Sequence, residues 1–180
     1  MNCQPAIITV SVDRLWFILD NFHNDRTEQE GVNMDYKILL ASDGSDNAFR
    51  AAEFAADLAA AASTARITVI VVNDILEKMK YYSPLRSPVV LEEVDVFFKE
   101  KTQEALDRTL EVLEKRGIKA EEGVSKMGNP AQEVVDYARE GKFSQIVIGS
   151  RGMGSLKGIV LGSVSSKVIQ LADCPVTVVK

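Results

Sequence analysis

From Tyr36 onward the chain alternates short runs of β-branched residues with longer segments of helical period, and this alternation restricts the fold more than any other feature. Strands separated in this way pair in parallel, because a parallel neighbour is reached only by a crossover, and the crossover helices then cover the sheet. Five strands are expected: Tyr36 to Asp43 (YKILLASD), Arg66 to Asn73 (RITVIVVN), Lys119 to Lys126, Ser144 to Gly149 (SQIVIG) and Pro175 to Val179 (PVTVV). The second is apolar almost throughout, as a strand covered on both faces must be. The third is the weakest. Pro175 lacks an N–H, which suits a strand start or an edge and predicts that the fifth strand lies outermost.

Four helices fit between these strands. Ala48, Ala51, Ala55, Leu58, Ala59 and Ala62 recur at helical spacing, and their small side chains let this helix approach the sheet closely. Glu92 to Lys115 is amphipathic, with Val94, Phe98, Leu106, Leu110 and Leu113 inward and Gly117 as its stop. Asn129-Pro130 supplies a cap and first residue, with Gln132 placed to reach back to the cap and Val134, Val135 and Ala138 inward. Ser163 to Ala172 closes the series with Val164, Val168 and Leu171 on its buried stripe. Residues 76–90, with Tyr81-Tyr82, Pro84 and Pro88, have no period and read as a long loop over one end of the sheet, a lid or partner contact or a plain connection.

Residues 1–33 stand outside the alternation. Met34 is a natural opening for a domain spanning 34–180, and Gln29-Glu30-Gly31 can be encoded with AGGAGG, a ribosome-binding sequence, just ahead of it. One expectation is therefore that translation starts at Met34. The other is that Ile7 to Val12 and Leu15 to Phe22 form a strand and a helix that dock on the domain.

A chain of 180 residues with 46% hydrophobic content supports one well-buried domain. The net charge of -5, without basic runs, argues against nucleic acid and anionic lipid as partners. No apolar run reaches the roughly 20 residues of a membrane span. The apolar start lacks a basic lead and is broken by Asp13-Arg14, which argues against a signal peptide. Cys3 and Cys174 show neither CxxC spacing nor a histidine cluster, so neither a disulfide framework nor a zinc site is expected and a cytoplasmic location fits.

The chemistry concentrates in Gly149-Ser-Arg-Gly152-Met-Gly154-Ser-Leu-Lys-Gly158-Ile-Val-Leu-Gly162-Ser163, between the fourth strand and the last helix, with the spacing G-x2-G-x9-G-[S/T]. Glycines here are expected to turn the main chain with positive φ and let it approach a ligand, while the N–H groups of the following helix favour an anion. Ser163 and Ser165 add hydroxyl donors and Arg151 a positive charge. The segment lacks the glycine-lysine-serine/threonine ending of the Walker loop. It is not the dinucleotide fingerprint either, because Lys157 stands where a glycine is required. Against a phosphate site stands a plain flexible turn.

The second feature is Ala41-Ser42-Asp43-Gly44-Ser45 at the end of the first strand. Asp-Gly is ordinary turn chemistry. Ligands of open α/β sheets, however, bind beyond the carboxyl ends of strands where the strand order reverses. If strands one and four are neighbours there, Asp43 faces the glycine loop and can accept from a ribose hydroxyl or hold a metal-bound water.

Together these residues resemble the ATP-binding branch of the universal stress protein family, over Met34 to Lys180. The ending GSRGMGSLKGIVLGSVSSKVIQLADCPVTVVK is similar to that family's C-terminal half. The resemblance implies a single open five-stranded parallel sheet, order 3-2-1-4-5, with helices on both faces: a Rossmann-like fold of the adenine nucleotide alpha hydrolase type. It also implies a homodimer through the last strand. By motif position, Gly149, Gly152, Gly162, Ser163, Val164 and Ser165 would contact phosphates and ribose, Asp43 with Ser42 beside it the ribose or adenine, and Ala41, Val72 and Ile148 the adenine. Family members often carry proline where this chain has Ala41. The ligand implied is ATP or AMP, with Mg2+ or Mn2+ held through the phosphates.

The only histidine is His23, outside the domain. One ribose-binding carboxylate is not a phosphoryl-transfer site, which also needs an oriented nucleophile and charge stabilisers, so no catalytic residue is assigned. The reading is a nucleotide-binding regulatory protein of the stress response. A slow ATPase or self-phosphorylating enzyme using Ser163 or Ser165, and a nucleotide-free interaction module, are the alternatives.

Overall fold

The structure, a computed structural model, describes residues 36–62, 65–74, 96–152 and 161–180, and residues 7–10 and 88–95 by their backbone. Its strands are β1 (Ile7–Val10), β2 (Tyr36–Ser42), β3 (Ala65–Asn73), β4 (Glu122–Met127), β5 (Gln145–Gly149) and β6 (Val176–Val179). The helices are α1 (Asp46–Ala61), α2 (Pro88–Lys115), α3 (Pro130–Glu140) and α4 (Ser163–Leu171). All strand pairs are parallel, in the order β1-β6-β5-β2-β3-β4.

The five strands read from the sequence keep the order 3-2-1-4-5, but the fifth is not outermost. Ile7–Val10 adds a sixth strand along the outer edge of β6, pairing Ile7 with Val176 through Val10 with Val179. Pro175 therefore marks a strand start, not an edge; its carbonyl accepts from Ile146 N at 2.9 Å. Leu15 to Phe22 lies outside the described residues.

Each helix pair covers one face. Ile38, Leu40, Ile67, Val69 and Val147 point toward α1 and α2, while Leu39, Ala41, Ile70, Ile146 and Ile148 point toward α3 and α4. This is the period-two alternation of a strand with apolar residues at both parities. Six alanines and Leu58 of α1 are buried, which brings that helix close to β2 and β5.

The helix ends follow from their residues. Ser45 caps α1 by accepting from Ala48 N, and Asn129 caps α3 by accepting from Gln132 N with Pro130 at the first position. The Gln132 side chain does not reach back; it donates forward to Asp136 at 2.9 Å, an i,i+4 pair. Gly117, at φ +75, ends α2: Ile118 N donates to Leu113 O and Gly117 N to Glu114 O, the paired closure of a Schellman turn.

Three other expectations are corrected. Helix α2 already begins at Pro88, so only the earlier part of the 76–90 segment lies outside the described helix, and residues 75–87 lie outside the described residues. The third strand starts at Glu122, not Lys119, because the Gly117 turn takes several residues to bring the chain back into register with β3. Leu171 is 37% exposed, since the inner stripe of α4 runs through Ser165, Val168 and Ala172.

Candidate functional site

From β2 the chain builds outward to β3 and β4, and later to β5 and β6 on the other side. The reversal falls between β2 and β5, where ligands of such sheets bind. Two turns meet at the carboxyl ends of these strands.

The β2–α1 turn depends on Gly44, whose φ of +76 bends the chain away from β2; a Cβ there would meet Ala105 Cβ at 2.9 Å. Asp43 Oδ1 accepts from Ser45 N at 3.1 Å, an Asx turn that fixes the carboxylate. The carbonyl of Arg151, on the opposing loop, accepts from Ser45 Oγ at 3.4 Å and from Asn47 Nδ2 at 3.3 Å. These bonds hold the two turns together.

The β5–α4 loop approaches as closely as glycine allows. A Cβ on Gly149 would lie 2.8 Å from the Asn47 carbonyl carbon, and one on Gly152 would run into Asp43 Oδ2. Asp43 and Gly152 thus meet across the crevice, as the position of the motifs requires. None of Gly149, Gly152 and Gly162 has a positive φ, contrary to expectation: close approach, not left-handed backbone, is what glycine provides at Gly149 and Gly152. Residues 153–160, including Gly154 and Gly158, lie outside the described residues.

The loop is tied at its base. Gly162 N donates to Ser150 O at 2.7 Å, and Ser165 Oγ shares its proton between Ser150 O and Gly162 O at 3.0 and 3.1 Å. Ser150 is fully buried, and its own hydroxyl has no hydrogen-bond partner among the described residues.

Above this base stands the start of α4. Gly162 is its cap at φ -75, ψ 164, and no side chain caps the helix. The first intrahelical bond runs from Ser166 N to Gly162 O, leaving the N–H groups of Ser163, Val164 and Ser165 without intrahelical acceptors. Such a terminus attracts negative charge. Ser163 is exposed and Arg151 half-exposed beside it.

An apolar wall completes the crevice. Ala41, Ile148 and Ile70 lie side by side on β2, β5 and β3 in the cluster facing α3 and α4, with Val72 and Val164 packed against it. Two of the expected residues turn their hydroxyls elsewhere. Ser42 Oγ lies 2.7 Å from Thr109 Oγ1 of α2 and accepts from Gly44 N. Ser165 Oγ is buried beneath the loop. Sequence reasoning missed Ser45, Asn47 and Ser150. Ser45 carried a signal, standing three residues before Ala48 as a helix cap. Asn47 acts on the Arg151 carbonyl far along the chain, and Ser150 stands inside the glycine loop with its hydroxyl buried; neither side chain carried a signal.

Among the described residues no group of three or more histidine, cysteine, aspartate or glutamate side chains is placed to hold a metal, and no helix is long and apolar enough to cross a membrane.

The universal stress protein family model matches residues 35–180. Universal stress protein MJ0531 of Methanocaldococcus jannaschii is 35% identical over 152 residues, covering 84% of this chain and 86% of that one. Among solved structures, MJ0577 of the same organism is similar at a TM-score of 0.65 and 26% identity, covering 82% of this chain and 97% of that one. A universal stress protein of Archaeoglobus fulgidus, solved in complex with dAMP, shares the fold at a TM-score of 0.54 and 24% identity, covering 81% of this chain and 98% of that one. The doubly wound sheet, the paired turns at its reversal and the match across 35–180 lead to one conclusion: this chain belongs to the universal stress protein family.

Proposed function

We propose that this universal stress protein binds an adenine nucleotide, ATP or AMP, between the Asp43 turn and the Gly149–Ser163 loop, and serves as a cytoplasmic regulatory or sensing protein of the stress response. The observation that carries the reading is the meeting of Asp43 with Gly152 across the β2–β5 crevice, beside an uncapped helix start. The residues fit the ligand's parts. The N–H groups of Ser163, Val164 and Ser165 and the partnerless buried hydroxyl of Ser150 suit phosphate oxygens, the Asp43 carboxylate suits a ribose hydroxyl, and Ala41, Val72 and Ile148 suit a flat apolar base. The dAMP-bound relative supports the same ligand class. Mg2+ or Mn2+ would arrive with the phosphates, with Asp43 touching it through water.

The test is to purify the protein, denature it, identify any released nucleotide by mass spectrometry, and titrate ATP and AMP by calorimetry. An adenine nucleotide released or bound at micromolar affinity supports the reading. No released nucleotide and no binding overturn it. Slow hydrolysis or self-phosphorylation is a second reading, and the exposure of Ser163 against the burial of Ser165 makes Ser163 its acceptor. Product formed over hours and lost in Asp43→Ala would favour it. The homodimer implied by resemblance would use the outer edge of β6, where β1 is seated.

A further inference from the structure

The two edges of a sheet of this order are protected differently. On one side β4 carries an exposed Glu122 and a partly buried Lys126 with Gly123 between them, and charge and glycine blunt an edge against pairing. On the other side β6 reads Val-Thr-Val-Val, all four residues buried, with no charge and no proline inside the strand. Its inner edge pairs with β5, and among the described residues its outer edge is covered by β1 alone. Without β1, β6 would present a row of unpaired N–H and C=O groups on an uncharged β-branched strand, which templates pairing with another chain. The cover itself is slight. Among the described residues it is a parallel ladder of four residues to β6. The family match begins at residue 35, beyond the cover.

We infer that residues 7–10 are a displaceable cap on β6, masking the edge through which a second copy of this chain would pair. The inference rests on the β6 homodimer named above and adds what controls it. A two-fold axis beside β6 would pair Val176–Val179 with itself in antiparallel fashion, covering both edges at once with the same patch on each subunit. The cap wins while attached, because a tethered strand competes at an effective concentration of order millimolar against free chains at micromolar concentration. A chain begun at Met34 lacks the cap and starts life with the edge bare.

The experiment compares three proteins by sedimentation at micromolar concentration: the full chain, its Ile8→Pro/Thr9→Pro variant, and the chain from Met34. Adjacent N–H groups of a strand point to opposite sides, so substituting both removes whichever faces β6. The Met34 chain retains both core clusters and the whole family domain, and it serves where the proline variant is in question. The full chain is expected to be a monomer and the other two dimers of twice the mass. Hydrogen exchange should keep the outward β6 amides protected in those dimers. Three monomers would overturn both the dimer and the cap. A full chain already dimeric with protected β6 amides would overturn the cap alone. Dimers whose outward β6 amides exchange freely would place the contact elsewhere and overturn both.

Discussion

Gly149 and Gly162 occupy similar places in one motif yet have opposite physical reasons to lack a side chain. A Cβ on Gly149 meets the backbone of Asn47, which cannot swing aside, whereas one on Gly162 meets nothing closer than 3.4 Å at an ordinary φ. Gly149→Ala should therefore cost about 1–3 kcal/mol of stability by overpacking. Gly162→Val should leave the melting temperature nearly unchanged while it covers the α4 N–H groups and weakens nucleotide binding at least tenfold. Thermal melts paired with calorimetry check both, and unchanged affinity in Gly162→Val would mean that the phosphates lie elsewhere. Cys174 gives a second prediction. Burial raises the pKa of this half-buried thiol above its ordinary value, so the folded protein favours the protonated form. The stability this contributes is complete below the unfolded thiol pKa of about 8.5 and is lost as pH rises through the higher folded value. Cys174→Ala should flatten the alkaline fall in urea stability; an unchanged slope would assign that fall to other groups.

At the scale of elements, the Gly117 turn shows how one residue places a strand. No side chain crowds it, so Gly117→Ala should cost only the penalty for left-handed backbone, about 1–2 kcal/mol, measurable by urea unfolding; no loss would mean that the turn relaxes. This turn was legible in the sequence, as were β2, β3 and β5, whose apolar runs admit no other use, and α1 and α3, whose caps are local. The sixth strand was only half legible, because IITV says that it is a strand but not that β6 is its partner. Leu171 misled for a related reason: its spacing allows burial, but the inner stripe of α4 runs through Ser165, Val168 and Ala172. In the site, the Asp43 and glycine-loop motifs could be read locally. The Arg151 carbonyl clamp and the Ser42–Thr109 pair join distant segments, and nothing in local sequence encodes such a meeting.

For the whole molecule, the crevice joins the two layers, since the Asp43 turn leads into α1 on one face and the glycine loop into α4 on the other. A ligand held there binds the folded chain alone, so nucleotide at a hundredfold excess over Kd should stabilise it by about 2.7 kcal/mol and raise Tm by about 5 to 10 °C. At the same nucleotide concentration Gly162→Val should cut that rise to about half or less, and an undiminished rise would move the ligand out of the crevice. The pairing of β1 with β6 also has a consequence for synthesis. The ribosome delivers Ile7–Val10 before the domain and Val176–Val179 after nearly all of it. The other strands can pair as they emerge, but β1 has no partner until β6 has been made. Each new molecule thus passes through an interval in which Ile7–Val10 exists without the strand it pairs with in the finished fold.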